Sequence, residues 1–200
     1  MPFITREQAE IKVGPYFNDL EKIVHSAWGD WLNSELSSQM QHKRVRANYV
    51  WNQLIAHAKR QFYGQNQVHV ETYANWDGIL FDGNIFVRMK KASKNLYSSN
   101  YPTQAALAFH DQIQDIFGGV ARLELVYVLN QSETEIERIT LIQRNNSNVG
   151  WMIDLLKDST NTQNIIPLEQ NKENNQNTVA ERVIKPLNTE KGIDKDGTST

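Results

Sequence analysis

The sequence of 200 residues contains no cysteine. This absence excludes a disulfide-stabilised scaffold, a thiolate zinc site and a cysteine nucleophile. The sequence also has no apolar run that approaches the roughly 20 residues needed to span a bilayer, and its first residues lack the apolar core of a signal peptide. We therefore expect a cytoplasmic protein without a membrane segment.

Known catalytic motifs are missing as well. There is no Gly-x-Ser-x-Gly, no phosphate-binding Gly-x-x-x-x-Gly-Lys-Ser/Thr and no His-Glu-x-x-His. The five histidines are scattered, so we expect no metal site, no cofactor and no catalytic residue.

A metal-dependent nuclease is the enzyme class closest to the pattern of charges. It would place one acid on a strand and an acid-x-Lys sequence on the next strand, so that two carboxylates hold the metal. Asp77 or Asp82 could supply the first acid, but Arg88 stands where the second carboxylate is needed. An enzyme of unrecognised, degenerate nuclease-like type, using Asp77, Asp82 or His110, therefore stays only as an alternative.

Basic residues are concentrated in the middle of the chain, although the net charge is only -2. Residues 39–110 contain nine Lys or Arg against three acids, whereas both flanks carry more acids than bases. The surplus falls in two blocks, residues 42–51 and residues 86–94. Blocks of this kind usually contact phosphate, nucleic acid or an acidic partner.

Apolar periodicity predicts helices first and strands afterwards. A capping box of Thr5 and Gln8 opens the first helix, and apolar residues at three-to-four spacing predict two longer ones, beginning near Phe17 and His42. Alternation predicts strands over residues 68–73, 78–81 and 84–89, and Asp82-Gly83 is typical of a hairpin turn.

A further helix is predicted after Thr103, with Ile113 and Ile116 facing inward and Gly118 ending it. Strands are predicted over residues 121–129, 136–143 and 149–156. The predicted fold class is α+β, with N-terminal helices packed on a mostly antiparallel sheet of about five to six strands and one inserted helix.

Composition divides the chain near residue 157. Residues 158–200 contain no aromatic residue and are rich in Asn, Gln and Thr, so they cannot bury enough apolar surface to offset the entropy lost on ordering. We predict one α+β domain over residues 1–157 and a disordered tail over residues 158–200.

The two basic blocks supply most of the candidate binding residues. Arg44 shares the apolar side of its helix with Trp51, so we expect it either in the loop before the helix or partly buried against an acid such as Asp111 or Asp115. Arg88 and Lys90 project from one sheet face beside Phe86, where basic and aromatic side chains could hold a nucleic-acid strand. A solvated sheet edge on which lysine prevents aggregation is the favoured interpretation of the same pattern. The candidate binding residues are Lys43, Arg44, Arg46, Arg88, Lys90, Lys91, Tyr101, Thr103 and Gln104.

Several short motifs together resemble an uncharacterised bacterial family. The motifs are His42–Ala47, Phe86–Lys91 and the sequence Asn-Tyr-Pro-Thr-Gln at residues 100–104, followed by Phe109 and Gln112. Genes of this family lie beside helix-turn-helix regulators and ImmA/IrrE-type metallopeptidases, often in mobile elements. The resemblance implies a regulatory or stress-response module in which a helix-turn-helix regulator or a metallopeptidase is the partner, and it transfers no catalytic residue.

The preferred hypothesis from the sequence is a non-enzymatic regulatory or interaction protein that binds a protein partner. The alternative is a nucleic-acid-binding module that uses Lys43, Arg46, Arg88, Lys90 and Lys91. The two basic blocks would favour a binding site if they converged in one concavity, and a structural role if each were paired with a nearby acid.

Overall fold

The computed structural model describes residues 3–40, 42–73, 75–98, 103–116 and 118–158. The predicted α+β fold is confirmed: helices pack on a six-stranded sheet whose strands follow sequence order, and every neighbouring pair is antiparallel except β3 and β4. The helices are α1 (Arg6–Val13), α2 (Phe17–Leu32), α3 (Leu36–Gln39), α4 (Lys43–Gln61), α5 (Gln104–His110) and α6 (Leu155–Asp158). The strands are β1 (Val68–Tyr73), β2 (Trp76–Phe81), β3 (Ile85–Lys91), β4 (Ala121–Leu129), β5 (Ile136–Asn145) and β6 (Asn148–Asp154).

The main core lies between α2, α4 and one face of the sheet. The predicted capping box at Thr5 and Gln8 is present and opens α1. Helix α2 buries an apolar stripe that includes Leu20 and Trp28, and α4 buries a shorter stripe at Val50, Leu54 and Ala58. These side chains pack on the sheet face of Val87, Leu123 and Leu141, none of which is exposed to solvent.

Strand β3 is only partly paired with β2. The predicted Asp82-Gly83 turn is present, with φ angles of 48° and 67°, but β2 pairs only with Ile85–Val87. On its other side β3 runs parallel to β4 as far as Lys91. The stretch from Arg88 to Lys91 therefore has a strand neighbour on one side only, among the residues that the structure describes.

Between the parallel strands β3 and β4, the described residues pack on the sheet face opposite to α2 and α4. On this face Phe109 of α5 packs with Phe86 and Leu80. The prediction that the inserted helix continues to Gly118 with Ile113 and Ile116 inward is wrong, because α5 ends at His110 and these two side chains are 75% and 38% exposed.

The early end of α5 has a clear physical cause. The guanidinium of Arg122 donates hydrogen bonds to the backbone carbonyls of Ala108, Asp111 and Gln114, at 3.2, 2.7 and 2.9 Å. The buried side chain of Gln112 donates to the carbonyl of Arg122 at 3.1 Å. Because these hydrogen bonds pair backbone carbonyl groups at and after the end of α5, no further helical turn is needed to pair them.

Residues 159–200, nearly all of the predicted tail, lie outside the described residues. Within the described part of the chain, every helix is too short or too polar to cross a membrane.

Candidate functional site

The two basic blocks meet around the carboxylate of Glu133. Arg46 and Lys43, from the first turn of α4, place their nitrogens 2.5 and 3.1 Å from Oε2 of Glu133. Lys91, at the end of β3, places its Nζ 2.8 Å from Oε1. Cations that lie almost fifty residues apart in the sequence thus converge on one acid.

Glu133 is held in place by its own loop, residues 130–135 between β4 and β5. Its backbone has a φ of 56°, and the Asn130 side chain stabilises the loop by accepting a hydrogen bond from the backbone N–H of Thr134 at 2.9 Å. Hydrogen bonds from Arg46, then from Lys91, lower the pKa of Glu133 to about 2. The carboxylate is therefore ionised throughout the physiological range.

A pocket of about 480 Å³ opens beside this cluster, at the carboxyl ends of the parallel strands β3 and β4. We call it the end pocket; it is lined by Lys43, by residues 91–94 and by residues 128–133. Crevices at the carboxyl ends of parallel strands are common ligand sites in α/β proteins. The charged residues of its lining are Lys43, Lys91, Lys94 and Glu133.

A second cavity of about 400 Å³ lies between α4 and residues 89–91 at the end of β3, and Lys91 borders both cavities. We call it the edge cleft. Arg44 and Trp51 line it from α4, Met89 and Lys91 line it from β3, and Tyr127 contributes from β4. The edge cleft thus combines an open strand edge, an apolar wall and a basic border.

Lys90 also borders the edge cleft, but the alternation of β3 directs its side chain to the opposite sheet face. Burial, followed by the positive charge of Arg88, lowers the pKa of Lys90. We therefore count Lys43, Arg44, Lys91 and Lys94 as the cations that face the two cavities.

Arg88 does not reach the surface, since its side chain is 2% exposed. Its guanidinium carbon lies 4.2 Å from the ring centre of Trp76 and 4.5 Å from that of Phe109, and its Nη2 lies 3.6 Å from Glu124. The structure thus places Arg88 in the interior and not on the binding surface predicted for it. Burial lowers the pKa of Arg88, while the nearby carboxylate of Glu124 opposes that change.

Glu124 is the centre of a buried polar network on this face. Its carboxylate accepts hydrogen bonds from Ser98 at 3.2 Å, and lies 3.2 Å from Nε2 of His110 and 3.9 Å from Nη1 of Arg144. Burial raises the pKa of Glu124. Burial, together with the surrounding guanidinium groups, lowers the pKa of His110 to about 4, so this imidazole is neutral near pH 7.

The remaining sequence-predicted residues differ in where they lie, and Arg44 is the one among them that lines the edge cleft. Arg44 is in the first turn of α4 and is exposed, so the expectation of a loop position or of partial burial against an acid is wrong. Thr103 caps α5 by accepting a hydrogen bond from the N–H of Ala106 at 3.2 Å, and the adjacent Gln104 is exposed. Tyr101 lies outside the described residues.

The residues of the enzyme alternative do not form one site. Asp77, near the start of β2, accepts a hydrogen bond from Thr72, whereas Asp82 lies in the turn after the same strand, about 17 Å away at the usual rise per residue. His110 is buried at the end of α5. Among the described residues, no three His, Asp or Glu side chains are grouped so that they could hold a metal ion.

Glu133 and Lys94 belong to the site but were not among the predicted binding residues. Lys94 ends the second basic block, so its charge was a visible signal. Glu133 gave none, because it lies in a polar loop forty residues beyond that block and its role depends on three cations from other elements.

No protein-family model, curated protein or solved structure matches this chain.

Proposed function

We propose that this protein is a non-enzymatic binding protein that holds an extended, acidic segment of a partner protein in the edge cleft. One observation carries the proposal: the open edge of β3 and the basic residues of both blocks border the same cavity. An extended peptide can add to an open strand edge through main-chain hydrogen bonds. Basic side chains along that edge favour a segment rich in Asp and Glu.

The distribution of the cations supports a protein partner over nucleic acid. Of the five cations in the nucleic-acid alternative, Arg88 is buried, Arg46 lines neither cavity, and Lys90 directs its side chain to the opposite sheet face. Single-stranded nucleic acid also needs accessible aromatic faces for stacking, and Trp51 in the cleft wall is only partly exposed. The surface therefore suits a short peptide segment better than a polynucleotide.

The resemblance of the basic blocks to the regulatory family suggests which partners to test first. A helix-turn-helix regulator or an ImmA/IrrE-type metallopeptidase encoded beside the gene would be the natural partner of such a module. Each can be purified and titrated against the full chain, and the binding region then mapped by peptide scanning of its acidic segments.

The proposal is tested with a labelled peptide of alternating Glu and Val, whose binding to the full chain is followed by fluorescence anisotropy. We expect saturable binding that weakens with salt and decreases at least tenfold in the double variant Arg44→Glu/Lys91→Glu. The matched control is Lys59→Glu, which reverses an exposed charge at the other end of α4, about 24 Å from Lys43.

Two outcomes would contradict the proposal. Equal loss in the Lys59→Glu control would mean that the peptide responds only to net charge, and the edge cleft would not be the site. Binding of a 20-nucleotide single strand or a duplex at low salt, with no binding of the peptide, would replace the proposal by the nucleic-acid alternative.

A further inference from the structure

We infer that the end pocket binds a phosphomonoester, carried by a phosphorylated serine or threonine of the partner segment. The inference deepens the proposed function and rests on it. The end pocket adjoins the edge cleft through Lys91, so a segment lying along β3 can reach both cavities. The geometry and the charge of the end pocket determine which chemical group it can bind.

The charge of the end pocket matches a dianion better than a single carboxylate. Lys43, Lys91 and Lys94 line the pocket together with Glu133, and these three cations and one carboxylate leave a net charge of +2. Arg46 also pairs with Glu133 but is not part of the lining. A phosphomonoester carries a charge of about −2 near pH 7 and three acceptor oxygens, whereas a carboxylate of Asp or Glu carries −1.

A tight turn places Lys94, the third cation of the lining. The backbone N–H of Leu96 bonds to the carbonyl of Ser93 at 2.9 Å, and the N–H of Ser93 bonds to the carbonyl of Tyr97 at 3.0 Å. Lys94 lies at the tip of this turn and is exposed. It makes no ion pair with any of the described residues, so its ammonium group is available to a ligand.

Glu133 shows how the site can bind an anion. Its carboxylate already accepts hydrogen bonds from the charged donors that would contact a phosphate. Three donors within 3.1 Å of one carboxylate form a preorganised anion site. The side chain is 25% exposed, so a ligand anion can approach the same cations from the open side of the pocket. Glu133 therefore competes with the ligand and limits its affinity.

The first experiment titrates the full, isotope-labelled chain with inorganic phosphate and follows backbone amide signals by NMR. We expect saturable shifts at Ser93, Lys94, Ser132 and Glu133, growing as the pH rises from 5.5 to 8 and phosphate becomes dianionic. Sulfate and acetate at equal ionic strength are the comparison anions. Shifts that do not saturate, or that appear equally at lysines elsewhere, would mean adventitious anion binding and would overturn the inference.

The second experiment compares three peptides of the same Glu/Val sequence, with serine, glutamate or phosphoserine at one central position. We expect the phosphoserine peptide to bind at least tenfold more tightly than the glutamate peptide. Equal affinity of these two would refute the phosphate site and leave the proposed function intact. Failure of all three peptides to bind would refute the proposed function, while the phosphate titration would still report on the pocket.

Two variants separate the pocket from the cleft. Lys94→Ala should remove most of the preference for phosphoserine, because it should weaken binding of the phosphoserine peptide by a larger factor than binding of the glutamate peptide. Glu133→Gln should raise the affinity for inorganic phosphate severalfold because the competing charge is gone, and circular dichroism checks that it is folded. An unchanged preference for phosphoserine in Lys94→Ala would contradict the inference. Weaker phosphate binding by a folded Glu133→Gln would contradict it as well. The control variant is Lys59→Ala.

Binding of adenosine monophosphate as tight as that of the phosphopeptide would instead assign the pocket to a free phosphorylated metabolite.

Discussion

His110 is a buried side chain whose protonation should affect stability. It faces Glu124 and Arg122 on β4, Arg88 on β3 and Arg144 on β5. Burial and these guanidinium groups lower its pKa to about 4, whereas an unfolded histidine titrates near 6.5. Between these values the unfolded state binds more protons, so the free energy of unfolding should fall as the pH decreases from about 6.5 to 4.

The variant His110→Gln tests this dependence. Urea unfolding of the native chain should show a loss of roughly 2 kcal/mol over this range, and the variant should lose less because it has no imidazole to protonate. At pH 7 and above, the difference between the two proteins should be constant. Parallel profiles from pH 4 to 8 would show that His110 is not the responsible group.

Individual side chains show where the sequence was informative and where it was not. The alternation of β3 correctly put Arg88 and Lys90 on one face. Burial of Arg88 was not predictable, because its neighbours Trp76 and Phe109 come from different elements. Local sequence thus predicted the direction of a side chain but not the depth at which it lies.

At the scale of elements, Gly78 lies where the registered pairing of β2 with β3 ends. A Cβ at this position would lie 2.5 Å from the carbonyl oxygen of Val87 and 2.6 Å from Cζ of Phe86. Strand pairing stops at the next residue, Ile79, and this leaves the edge of β3 open. The glycine therefore allows a close backbone approach that no other residue permits.

We expect Gly78→Ala to lower the free energy of unfolding by about 2 kcal/mol, because the added methyl group overpacks a backbone contact. The control is Gly29→Ala in α2, where a Cβ meets no atom within 4 Å. Removing that helical glycine should raise stability by about 0.5 kcal/mol. Chemical denaturation of both variants measures the contrast, and two variants of equal stability would disprove the close approach.

Elements with local signals were predicted well, and those fixed by distant residues were not. The capping box of α1 and the turn at Asp82-Gly83 need only neighbouring residues, and both are present. The end of α5 depends on Arg122, a residue from the following strand that takes up three backbone carbonyls. Apolar residues at helical spacing could not reveal that competition.

For the whole molecule, the fold class followed from the order of helical and strand patterns, but the site did not. The convergence of the basic blocks depends on the parallel pairing of β3 and β4, which brings the end of β3 next to the loop that carries Glu133. The sequence predicted a mostly antiparallel sheet without indicating which strands would be parallel. Positions near the ends of those strands were therefore impossible to assign to one site in advance.

The predicted division of the chain near residue 157 can be tested by truncation. A chain that ends at Asp158 keeps every described element, and residues 159–200 contain no aromatic residue. We expect its Tm to stay within about 2 °C of that of the full chain, since the removed segment has little apolar surface to bury. Thermal unfolding by circular dichroism measures this, and a Tm lower by 10 °C would show that the segment packs on the domain.

The same truncated chain should bind the Glu/Val peptide with unchanged affinity, because the proposed occupant of the edge cleft is a partner segment. Tighter binding after truncation would instead identify residues 159–200 as the occupant of the edge cleft.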